Sequence, residues 1–154
     1  MGRINLGRVI LGGIVAGIVA NILGYLVDGV LLAPQWTAAM RALGRADFST
    51  NQILAFNVIG LAYGIFAVWL YAAIRPRYGA GPKTALCAGL AVWVAGVLLP
   101  NAALMGVTGL FPSNLTVMST LAGVVEWAAA ILAGAALYQE GLESARTMSA
   151  SARA

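Results

Sequence analysis

The chain has 154 residues, 61% hydrophobic and 9% charged, with a mean hydropathy of +0.89. Soluble domains carry about a quarter charged residues, so water is excluded as the main solvent and a lipid bilayer takes its place. A net charge of +4, one cysteine and no histidine exclude an internal disulfide, histidine-ligated haem and histidine-dependent catalysis. No zinc-site, phosphate-loop or dinucleotide motif is present, and no metal or other cofactor is expected.

Four apolar runs, near 9–32, 52–74, 84–108 and 115–138, are each long enough to cross a bilayer as a helix, which takes about 20 residues. The expected fold is all-α: a polytopic membrane protein with four transmembrane helices in an antiparallel bundle. They form a single domain over 1–142, followed by a frayed tail over 143–154. The first run is too long for a secretory signal and has no small-residue cleavage site after it, so it is read as an uncleaved span. Arg3, Arg8, Arg75, Arg77, Lys83, Arg146 and Arg153 lie on one side of the expected bundle. Only Arg41 and Arg45 lie on the other. This asymmetry predicts a multi-pass protein of the bacterial inner membrane with both termini cytoplasmic. Confined to the ends of apolar runs, these cations do not form a nucleic-acid-binding stripe.

In the first span Gly13, Gly17, Asn21, Gly24 and Asp28 share one helical face, and small residues allow helix backbones to approach closely in lipid. After it, "APQWTAAMRALGR" (33–45) predicts a short helix near 34–44 on the outer membrane surface, with Trp36 at headgroup level. A loop packed on the bundle is the alternative. The second span offers Asn57, Gly60 and Gly64, and Pro76 and Pro82 bracket a tight turn by ending one helix and starting the next. The third carries Gly89, Gly96, Pro100 and Asn101. Pro100 deprives the Gly96 carbonyl of its helical donor, which makes a kink or a break. The fourth holds Ser119, Gly123 and Glu126, with no basic residue within thirteen positions of Glu126 on either side. Trp69, Tyr71 and Tyr138 read as an inner aromatic belt, and Cys87 as a small buried filler.

Two motifs recur: "FSTN" (48–51) with "FPSN" (111–114), and "GVLLAP" (29–34) with "GVLLPN" (96–101). A duplicated hairpin and chance among common residues both account for them.

By depth, Asn21, Asp28, Asn57, Asn101 and Glu126 occupy the outer half and the midplane. If their faces converge they form an outward polar pocket with Glu126 and Asn21 at its floor. Glu126 has two main readings: a neutral acid donating to Asn21 as a structural clasp, or a water-reached proton or cation site. Lipid exposure is a third.

The stretch "GIFAVWLYAAIRPRYGAGPKTALCAGLAVW" (64–93), the Gly-rich first span with its Asn, and Gln35-Trp36 resemble small four-span bacterial membrane proteins. They are distantly similar to the DUF1761 group. The resemblance implies a bacterial inner-membrane setting and carries over no functional residue.

Two functions are expected from these residues. One is a non-enzymatic assembly or accessory subunit, packing through its small-residue helix faces as a homo-oligomer or within a larger membrane complex. The other is a minimal small-solute or proton-linked transporter or binder built on the polar pocket. An enzyme is not expected, since only Ser119, Glu126 and asparagine side chains are on offer.

Overall fold

The computed structural model describes residues 4–139; the expected tail over 143–154 lies outside them. Among the described residues there are no strands, and four helices are long and apolar enough to cross a membrane. They are α1 (Leu6–Leu31), α3 (Thr50–Tyr78), α4 (Pro82–Met105) and α5 (Ser113–Ala136). A short α2 (Ala33–Ala42) follows α1. The chain is an all-α protein with the architecture of a multi-pass membrane protein.

Local chemistry sets the helix ends. The Asn5 side chain caps α1 by accepting from the Arg8 amide, which removes one of the orphan N–H groups of the first turn. Ser49 and Gln52 form a reciprocal capping box at the start of α3. Pro82 occupies the first turn of α4, where its missing N–H costs nothing. Pro76 does not end α3 as expected. The helix runs through it to Tyr78, and Gly79, at φ 86°, makes the stop. A proline so near the terminus removes only one hydrogen bond, whereas a positive φ ends the ladder outright.

α1 packs against α3 and α5, and α4 packs against the same two helices. α1 and α4 therefore face each other across the bundle. The repeated motifs share two local features. Phe48 and Phe111 both meet the Trp36 ring edge-on, with centroids at 6.4 and 5.4 Å. Gly29 and Gly96 both lie in π-helical stretches, Tyr25–Leu31 and Val94–Leu98.

The π-helical stretch of α4 accounts for Pro100. The Leu99 amide reaches back five residues to the Val94 carbonyl, so the helix widens into a π-turn immediately before the proline. A second widened turn, Ala103–Val107, follows. Such bulges absorb a local mismatch in the i→i−4 ladder.

The main core lies toward the end that holds Asn5, the α3–α4 turn and Tyr138. It is built from Val9, Ala16, Ala67, Val68, Ala88, Val92, Ala130 and Ile131. Backbones touch there. The Cβ that an alanine at Gly64 would carry falls on the Gly13 carbonyl and the Gly17 amide, and one at Gly17 would lie 2.6 Å from the Leu61 Cα. Gly12 and Gly134 meet carbonyl to Cα position on the α1–α5 side, where an added Cβ would come within 2.5 Å of the opposite carbonyl. This glycine pair was not among the expected packing positions, although Gly12, Ala16 and Ala20 at four-residue spacing carried the signal.

Two expectations fail at this end. Tyr71 and Tyr138 are buried, not part of a surface belt: their rings meet edge-on, and their hydroxyls accept from the Gly81 and Asn5 amides. A buried phenol needs a partner for its oxygen, and the two turns supply one each. Trp69 does face outward, stacked on Phe66. Cys87 is exposed rather than buried.

At the opposite end a smaller cluster of Leu32, Ala39 and Leu115, with Val27, Trp36 and Phe111 against it, seats α2 on the bundle. Both readings of the 33–45 segment thus hold in part: it is a helix, and it is packed. The Trp36 indole donates to Asp28 Oδ1 at 3.0 Å. Trp36→Phe should keep the aromatic contacts and lose this bond, a cost of about 1–2 kcal/mol when the part-buried acceptor is left unpaired. The expected result is faster amide exchange across Ala33–Ala42 and unchanged exchange in the main core.

Candidate polar site between the two cores

The five polar residues lie between the main core and the α2 cluster, but they do not meet in one pocket. They sort into three groups.

Asn21 turns toward α3. Its Nδ2 donates to the Asn57 carbonyl at 2.9 Å, and its Oδ1 occupies the space that a side chain at Gly60 would fill. Asn57 donates from its own amide to the Ile53 carbonyl, one turn earlier in α3, at 2.8 Å. Ile18, Ile22, Tyr25 and Leu26 of α1, with Leu61 of α3, border these two amides and enclose a groove of about 460 Å³.

Asn101 turns toward α5, where its Nδ2 donates to Thr120 Oγ1 at 2.8 Å. The Trp93 indole donates to the Thr120 carbonyl at 2.9 Å. Thr120 is buried, and this pair of bonds satisfies it. The Asn101 amide therefore serves Thr120 and not the carbonyl freed by Pro100. Gly96 lies under the Tyr63 ring, and Gly123 under the Trp93 ring. Gly89 receives Ile131. These three glycines admit side chains, whereas Gly13, Gly17 and Gly64 admit backbones.

Glu126 lies against α1 beside Gly24. A Cβ at Gly24 would be 3.7 Å from Glu126 Oε2, ordinary contact. Gly24 is thus not a close helix-packing position; it borders the carboxylate. Glu126 Oε1 is buried and has no hydrogen-bond partner among the described residues. Asp28 lies one turn along α1 from Gly24 and accepts from the Trp36 indole.

The expected Glu126–Asn21 clasp is therefore absent: the Asn21 amide donates to the Asn57 carbonyl on α3, while Glu126 lies beside Gly24. On an ideal helix Gly24 and Asp28 stay within the arc between Gly13 and Asn21, because the three-residue step from Asn21 to Gly24 turns back by about 60°. The π-helical turn from Tyr25 onward shifts the phase of Asp28.

No protein-family model matches the chain, and no curated protein or solved structure is similar to it. The chemistry of the site therefore rests on its own geometry. No three of its acidic or cysteine side chains come together as a metal-ligand set among the described residues. The arrangement offers amides that bind neutral polar groups, and one carboxyl whose buried oxygen lacks a donor.

Proposed function

We propose that the chain is a non-enzymatic assembly or accessory subunit of the bacterial inner membrane. In this reading it joins a larger membrane complex, or further copies of itself, through the first turns of α3. The observation that carries the reading is that every residue from position 50 to 59 is exposed, on all sides of the helix. Ten helical residues span about 15 Å, half the hydrocarbon thickness. The small-residue faces are used up inside the bundle, so the contact surface is α3's own apolar side chains: Ile53, Leu54, Phe56, Val58 and Ile59. A photo-crosslinking amino acid at Ile53 or Val58 should give one discrete protein adduct in native membranes. The same group at Val125, on the exposed side of α5, should give none. Lipid adducts alone from all three positions would remove the reading.

A second reading, a proton- or cation-linked binder or transporter of a small solute, is favoured by one observation: the buried, partnerless Oε1 of Glu126. In that case the purified protein should be stabilised by its solute in a pH-dependent way, and Glu126→Gln should fold while losing the pH dependence. The assembly reading expects no such dependence.

Both readings take the termini as cytoplasmic, from the distribution of basic residues. Cysteines introduced at Ala38, on α2, and Ala80, in the α3–α4 turn, test this in a Cys87→Ala background. An impermeant thiol reagent applied to intact cells should label Ala38→Cys and spare Ala80→Cys. The opposite pattern reverses the topology.

A further inference from the structure

The groove between α1 and α3 has a chemistry of its own, independent of what α3 docks against. Its walls are Ile18, Ile22, Leu26 and Leu61, with Tyr25 beside them, and no charged residue lines it. At its base are two carboxamides whose hydrogen-bonding capacity is largely unspent. Each carries two N–H donors and an oxygen acceptor. Asn21 uses one N–H on the Asn57 carbonyl, and Asn57 uses one on the Ile53 carbonyl. The remaining N–H of each and both side-chain oxygens have no protein partner among the described residues. At membrane depth such groups are costly to leave unpaired.

Size narrows the choice of occupant. About 460 Å³ falls in the range of small-molecule sites, about 300–1,000 Å³. The lack of charge selects against an ionic headgroup, and a mixed set of donors and acceptors selects for a molecule that offers both.

We propose that this groove binds a neutral amphiphile of the bilayer, one whose head carries a hydroxyl and a carbonyl, such as an acylglycerol. The carbonyl accepts from the free amide N–H groups, the hydroxyl donates to an asparagine side-chain oxygen, and the acyl chain lies along the isoleucine and leucine walls.

The test uses the purified full chain alone, in detergent, with dioctanoylglycerol as the probe and short-chain phosphatidylglycerol as the charged comparison. Wild type should bind dioctanoylglycerol saturably and phosphatidylglycerol much more weakly. Asn57→Ala leaves the backbone carbonyl that Asn21 uses and removes only the side-chain amide. It should weaken binding about 3- to 10-fold, the equivalent of one hydrogen bond. Ile22→Trp, at an exposed wall position, should fill the groove and abolish binding while the thermal midpoint of the free protein is retained. No saturable binding by wild type, equal binding by wild type and both variants, or a preference for the charged lipid would each overturn the proposal. Because no partner is present, these outcomes are separate from the crosslinking test of α3.

Discussion

Gly64→Ala should loosen the whole bundle although it adds one methyl group. The new Cβ would fall on backbone atoms of Gly13 and Gly17, and backbone cannot swing aside as a side chain can. Overpacking of this kind costs about 1–3 kcal/mol. Gly17→Leu adds more volume against the Leu61 Cα and should cost more, whereas Ile18→Leu, at an exposed neighbouring position, should stay within about 0.5 kcal/mol. Gly60→Ala should fall between. Its Cβ meets only the end of the Asn21 side chain, which can turn away at the expense of its bond to Asn57. The thermal midpoint and the monodisperse fraction after solubilisation would rank the four variants. Equal tolerance of Gly64→Ala and Ile18→Leu would mean that α1 and α3 do not pack through these glycines.

Glu126→Leu should make the protein more stable. A carboxylate near the centre of a bilayer costs about 2.5–3.5 kcal/mol on insertion scales, and here one of its oxygens is buried without a donor to offset that cost. Leucine fills similar space and has no polar atom to satisfy, so a gain of about 1–3 kcal/mol is expected. A clasp between Glu126 and Asn21 would make Glu126→Ala destabilising. The structure gives Asn21 a different acceptor, the Asn57 carbonyl, which removes that reason. A higher thermal midpoint for Glu126→Leu, together with loss of an activity that Glu126→Gln alters only in its pH dependence, would identify a residue kept for function at the expense of stability. A lower midpoint for both Leu and Ala would show that the carboxyl is held by contacts other than those seen.

The four spans and the short helix after the first of them were legible in the sequence. Run length and proline and glycine placement decide these. Partnership was not. Asn21, Asp28 and Glu126 follow from the sequence in their order along the helices, yet which neighbour each one faces depends on helix phase. For Asp28 and Asn101 the phase is shifted by the π-helical turns at Tyr25–Leu31 and Val94–Leu98. Nothing in "YLVDGVL" or "VAGVL" marks a widened turn. Pro100 hinted at one only through its missing donor. Gly12 and Gly134 were legible in principle, since Gly12 begins its own small-residue series. The neighbouring Gly13 series carries Asn21 and Asp28 as well as glycines and is the more conspicuous of the two.

The uneven distribution of close packing makes α3 a cantilever. From Gly64 to Ala72 it is clamped between neighbours whose atoms leave it no play. From Thr50 to Ile59 it projects with no buried residue, held by the Asn21–Asn57 bond and the edge contact of Phe48 with Phe56 at 5.8 Å. Deflection of such an arm concentrates at its root, so the bending point is Gly60, where the Asn21 oxygen takes the place of a side chain. One hydrogen bond at the base of the groove thereby sets how far the free end of the helix can swing.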